Sequence, residues 1–264
     1  MVVSIPKIPM ATRPTSLRAL LADELPRLYA FAYDMCGDRE DAYNALNEWI
    51  DALGGSAAAI LGAPRPAEAA FGSFARAIEK AMGRRAEQSF MILDNVLRTE
   101  LTKPVDITAE GIDGDTSRIH YMFWELKRTC LTAVMGCLPP GVRLSFILTD
   151  MLGYQPLEAA ELLEIQESAY RVRLTRARKR IEDFLTPRCY HVDRGNPCNC
   201  ESRLGIAMDA KFVRPPPHDL DTPPPSEPYD HEPPRRDMGA LYRSLPRTAL
   251  APDKAAALLA RVPE

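Results

Sequence analysis

Apolar residues recur at intervals of three and four along most of the chain, the spacing of helices that bury one face. Leu17, Leu20, Leu21, Leu25, Leu28 and Phe31 form one such stripe, with Ser16 placed to cap its start and Gly37 to close it. A second helix over 39–53 turns Ala42, Leu46, Trp49, Ile50 and Leu53 inward. It leaves Asp41, Asn44, Asn47, Glu48 and Asp51 outside. Gly54-Gly55 and Gly62-Ala63-Pro64 break the pattern, and a third helix over 66–90 carries Phe71, Phe74, Ile78 and Met82 on one face. No stretch alternates as a strand would. Residues 16–90 therefore read as a helical bundle behind a flexible lead, 1–15.

The pattern then lapses. Residues 91–118 are rich in turn formers and acids and read as a linker. Helical spacing resumes over 119–137 and continues, after Pro139-Pro140-Gly141, through three shorter pieces up to Leu185. The first covers 142–152 and stops at Gly153; the second covers 157–163, with Pro156 in its first turn. Together 119–186 predict a second helical domain. A Cys-rich loop, 187–203, follows. The Pro-rich acidic stretch 204–237 cannot bury enough apolar surface to fold and is expected to be a disordered linker. Residues 238–264 hold two short amphipathic helices, too small to fold alone, that would dock on the rest of the chain or on a regulator. The predicted fold is all-α: two small helical domains joined by a linker, with a Pro-rich C-terminal tail.

The last of the three pieces is the most informative. Tyr170, Leu174, Ala177, Ile181, Phe184 and Leu185 share one stripe, while Arg171, Arg173, Arg176, Lys179 and Arg180 surround the remainder, offset only by Glu182 and Asp183. A basic helix behind a compact helix and a tight turn fits a helix-turn-helix, whose final helix enters the major groove by its N-terminal half. The competing reading is a solvated surface helix. The near-absence of neutralising acids favours a polyanion partner.

Composition narrows the choice. The 264 residues carry a net charge of only -3, so any nucleic-acid contact comes from local clusters. No apolar run reaches the ~20 residues of a membrane span, and the first residues lack the layout of a secretory signal, so no membrane insertion and a cytoplasmic location are expected. There is no Gly-rich phosphate loop, nucleophile elbow or His-Glu metal helix, and the four histidines are scattered at 120, 191, 218 and 231. A binding protein rather than an enzyme is expected.

Several groups of residues carry a family resemblance. Leu138-Pro139-Pro140, Arg143, Phe146-Ile147-Leu148, Glu158-Ala159-Ala160-Glu161, Arg173-Leu174 and Arg176 through Arg180 resemble, without gaps, region 4 of the extracytoplasmic-function (ECF) group of sigma-70 family RNA polymerase sigma factors. More loosely, Leu28, Tyr29 and Phe31, Gly37 through Ala42 and Glu48 resemble sigma region 2, which in that family docks on core RNA polymerase. The resemblance implies polymerase contacts at Asp41, Asn44, Asn47 and Glu48. It implies promoter DNA as partner, with Gln166, Glu167, Ser168, Arg171, Val172 and Thr175 at base edges of the −35 element. Arg173, Arg176, Arg178, Lys179 and Arg180 would hold phosphates or pack at the groove margin. An anti-sigma factor is a further implied partner. The family has Trp where Phe74 stands, Asn near Ala81 and Asp near Arg85. Here Ala81, Met82, Gly83, Arg84 and Arg85 offer phosphate contacts, chiefly from Arg84 and Arg85, and few base-edge partners, so promoter melting is not implied with equal force. Two alternatives stay open: a sigma-like regulator that binds DNA without polymerase, and an adaptor that sequesters an anti-sigma partner.

Three of the six cysteines crowd one loop. Cys189, His191, Cys198 and Cys200 give C-x-H-x6-C-x-C, four donors that could close a tetrahedral zinc site. The spacing is not that of paired knuckles, and a thiol cluster or a packed loop reads equally from it. The piece Asn196-Pro197-Cys198-Asn199-Cys200 also resembles a tail that follows region 4 in some ECF sigma factors. Cys130 and Cys137 fall on one apolar face and are expected in the core.

Overall fold

The computed structural model describes residues 14–97, 103, 105, 106, 108, 112–213 and 235–263. Its first helix, α1 (Leu17–Cys36), starts where Ser16 Oγ accepts from the Ala19 N–H at 3.1 Å. It ends at Gly37, whose φ of 78° is left-handed and whose Cα faces Thr132 so closely that a Cβ would collide with Cγ2. Asp38 then caps α2 (Arg39–Asp51), accepting from Glu40 N at 2.7 Å and Asp41 N at 3.1 Å. A 3-10 turn at Leu53–Gly55 and α3 (Ala57–Gly62) lead into α4 (Pro66–Met82). Phe31, Phe71, Phe74 and Trp49 make edge-on and tilted ring contacts at 4.9–5.9 Å and form the centre of this group.

The third predicted helix is shorter than its expected 66–90. It stops at Gly83, whose φ of 77° is left-handed and closes the helix. A separate helix, α5 (Phe90–Leu97), occupies the start of the expected linker. Its Phe90 ring meets Phe184 at 5.1 Å and its Asp94 accepts from Arg188 Nε at 2.6 Å, so tertiary contacts hold a segment that periodicity leaves unassigned. Asp115 caps α6 (Thr116–Gly136). After α6 come α7 (Pro140–Phe146), a π-helical turn at Ile147–Met151, α8 (Pro156–Leu162) and α9 (Glu167–Leu185).

The stretch expected to be disordered from 204 onward begins instead as α10 (Cys200–Asp209), capped by Asn199. Leu204, Ala207 and Val213 pack with Ile112, Met122 and Leu126 in a satellite core beside α6. The Pro-rich residues 214–234, with His218 and His231, and most of the lead 1–15 lie outside the described residues. The last residues form α11 (Met238–Arg243) and α12 (Pro252–Arg261). Every regular element among the described residues is helical, and the one β-type feature is an isolated bridge between Cys189 and Cys198.

The halves read as separate domains share a core. One buried cluster runs from Leu25 and Phe71 through Phe146, Tyr170 and Ile181 to Leu258. Arg143, 1% exposed, sits at the junction: its guanidinium donates to Met35 O, to Gly136 O and Leu138 O at 3.3 Å each, and to Glu87 at 3.3 Å. The C-terminal carbonyls of α1 and α6 thus converge on one cation, the charge a helix C-terminus favours.

Candidate nucleic-acid interface

The basic helix is held by a tyrosine. Tyr170 on the first turn of α9 is fully buried, donates its hydroxyl hydrogen to Ser145 O at 2.9 Å and lies 2.7 Å from Thr149 Oγ1. Burial pushes its phenol up to about 12, so the hydroxyl keeps its proton and the bond across neutral pH. Leu174, Ala177, Ile181, Phe184 and Leu185 continue this buried stripe, as their spacing predicts. Leu163 N and Ile165 N bond back to Ala159 O and Ala160 O at 3.0 Å each, and Glu164 adopts a left-handed φ of 56°. That tight turn swings α9 away from α8 and fixes the helix-turn-helix.

What remains outside is the polar face. Gln166, Ser168, Arg171, Val172, Thr175, Arg176, Lys179 and Arg180 are exposed and Glu167 is half-buried. Val172, 50% exposed, is a large apolar side chain standing among cations, suited to a thymine methyl. Three of the expected phosphate-binding cations are engaged within the chain. Arg173 is half-buried and donates to Glu79 of α4 at 2.9 Å. Arg178 makes a two-pronged bond to Asp150 in the π turn, at 2.9 and 2.8 Å, and Lys179 pairs with Asp183 at 2.9 Å. Arg171 pairs with Glu167 one turn earlier at 2.6 Å, on the exposed side. Arg84 and Arg85 lie together in the exposed bend after α4.

The second set of expected contacts sits on α2. Asp41, Asn44 and Glu48 are exposed on one stripe and Asn47 is half-buried. Phe74, standing where the resemblance places a Trp, is wholly buried against Phe31 and Trp49. Trp49 Nε1 donates to Ser73 Oγ at 3.2 Å.

In the Cys-rich loop, Cys189 and Cys198 face each other across the isolated bridge, and Cys200 Sγ lies 3.6 Å from His191 Nε2. Among the described residues no three His, Cys, Asp or Glu side chains converge as a metal-holding group. Cys130 of α6 lies within electrostatic reach of Cys189, Cys198 and Cys200. Its distance along the chain hides that approach from a reading of spacing alone. Burial pushes the Cys130, Cys189 and Cys198 thiols up and drives His191 down to about 3. The thiols are protonated and poor nucleophiles, and the imidazole is neutral.

Among the described residues no helix is long and apolar enough to cross a membrane. No curated protein and no solved structure matches the chain. A protein-family model, described as "Sigma-70, region 4", matches residues 128–181, the span from mid-α6 to the buried Ile181 of α9. Over that span, which holds α7, α8 and all but the last four residues of α9, the chain is similar to region 4 of the sigma-70 family.

Proposed function

We propose that this protein is a sigma-type transcription initiation factor of the ECF group. It binds core RNA polymerase through the α1–α4 group and reads the −35 element with α9. The observation that carries the reading is the exposed N-terminal half of α9, held rigidly by Tyr170, within the span similar to sigma-70 region 4. Bases are read by Gln166, Glu167, Ser168, Arg171, Val172 and Thr175, and phosphates are held by Arg176, Lys179 and Arg180, joined by Arg173 only when it leaves Glu79, with Arg178 at the groove margin. The acidic and amide-rich stripe Asp41, Asn44, Asn47 and Glu48 offers a face for a basic partner helix, and an anti-sigma factor is a further partner of the same surfaces.

Run-off transcription with purified core polymerase tests this. The expected result is a discrete transcript that requires the chain. No transcript, with retained duplex binding at low salt, selects the second reading: a sigma-like regulator that does not open promoters. The burial of Phe74 and the phosphate-type residues Arg84 and Arg85 favour that second reading, because strand opening needs side chains free to stack on and hydrogen-bond flipped bases.

A further inference from the structure

The last helix occupies the flank of α2. Ala255, Leu258, Leu259 and Val262 fall at i, i+3, i+4 and i+7; Leu258 is fully buried and Val262 nearly so, against the main core. Two cations flank that seam. Arg261 forks onto Asp51, its Nε donating at 3.0 Å to Oδ1 and its Nη2 to Oδ2. Lys254 Nζ lies 5.1 Å from the centre of the Tyr43 ring. Tyr43, Asn47 and Asp51 are spaced i, i+4 and i+8, so the half-buried Asn47 lies on one line between the two contacted residues, beside the exposed Asn44 and Glu48.

The chain leading to α12 is fastened independently. α11 lies on the π turn, with Gly239 so close to Asp150 O that an added Cβ would sit 2.9 Å from it. Tyr242 donates to Leu131 O at 2.9 Å, and Arg128 donates to Pro246 O at 2.8 Å and Thr248 Oγ1 at 3.2 Å. These contacts hold α12 beside α2 at high effective concentration.

We propose that the flank of α2 around Tyr43, Asn47 and Asp51 is a helix-acceptor site, filled in cis by α12. The trans partner that fits it is an amphipathic helix with a leucine seam between Lys and Arg. Core polymerase, presenting a basic helix to the neighbouring acidic stripe, must displace α12 to use Asn47. This last step rests on the function proposed above; the acceptor site does not.

The test uses full chains, wild type and Leu258→Asp, and a labelled synthetic peptide of residues 250–264. Circular dichroism and urea unfolding establish that the variant is folded. The variant, its own helix undocked, takes up the peptide saturably, and the wild type binds it at least about tenfold more weakly, because its site is occupied in cis. A peptide carrying Arg261→Glu binds less than the natural one. Unlabelled core polymerase releases the bound peptide, and it binds Leu258→Asp more tightly than wild type. Equal peptide binding by the two chains, or no binding by a folded variant, overturns the acceptor site. Polymerase and peptide bound together overturn the competition. A variant that takes up the peptide yet never binds polymerase sinks the polymerase reading and leaves the acceptor site standing.

Discussion

Arg143 shows how a single cation joins parts of the chain that periodicity alone treats separately. The sequence marks it as one arginine in a short helix, and only the fold brings the ends of α1 and α6 to it. Met in its place fills comparable space but leaves Met35 O and Leu138 O without that donor, each costing about 1–3 kcal/mol, while Gly136 O keeps the Gln88 N–H at 3.2 Å. Arg143→Met is therefore expected to lower unfolding free energy by about 3 kcal/mol in urea titrations. A loss under about 1 kcal/mol would mean that solvent replaces the guanidinium and that it is not the staple. Asp34 acts at the same scale with the opposite sign. It lines a cavity of about 270 Å³ between α1, α6 and the segment after α11, where Arg128 and Arg247 face it. Burial outweighs those cations and raises its carboxyl to about 7 from an ordinary 3.8. The folded chain therefore keeps a proton that the unfolded chain releases, and stability falls as pH climbs from about 4 through 7. Thermal melting at pH 5 and pH 8 checks this: Asp34→Asn is expected to flatten the decline, and an unchanged slope would assign it to other groups.

Among the elements, α9 was the most legible. Its buried stripe of Tyr170, Leu174, Ala177, Ile181, Phe184 and Leu185 agrees with the spacing residue by residue. The caps Ser16 and Gly37 do their expected work because capping depends on local backbone groups alone. The failures are elements whose stability comes from elsewhere: α5 rests on Phe184 and Arg188, and α10 on the satellite core. The π turn at Ile147–Met151 has no local signature either; it sits where α11 presses against the backbone of Asp150. On α9 itself, Arg171 is the residue whose loss is expected to weaken the proposed −35 binding by roughly 1–3 kcal/mol and relax one base position. Its pairing with Glu167 does not stand in the way, since an exposed i,i+4 ion pair contributes only about 0.3–0.5 kcal/mol. A mobility-shift titration of Arg171→Ala over a set of single-base variants measures both effects. Unchanged affinity with unchanged base preference would remove Arg171 from the readout.

At the scale of the whole molecule, the unexpected feature is that the two helical groups are packed against each other. α4 meets α7 and α8, Gly72 lies close enough to Leu162 O that a Cβ would sit at 3.0 Å, and Arg76 ion-pairs with Glu164 at 3.1 Å. No periodicity encodes such an approach, because it depends on a glycine and on charges spaced about ninety residues apart in the chain, Arg173 with Glu79 among them. That pair bears directly on the DNA binding proposed for α9. While Arg173 is bonded to α4 it is withheld from phosphate, and one phosphate contact contributes about one unit to the slope of log affinity against log salt. Glu79→Gln removes the charge and keeps the shape, so the released guanidinium gains a phosphate partner. Duplex affinity is expected to rise a few-fold at low salt, and the slope to steepen by about one unit, with no change in base preference. Equal slopes for variant and wild type, measured by fluorescence anisotropy from low to moderate salt, would mean that Arg173 stays against α4 when DNA is bound. The α4 to α9 contact would then persist in the DNA-bound state rather than compete with it.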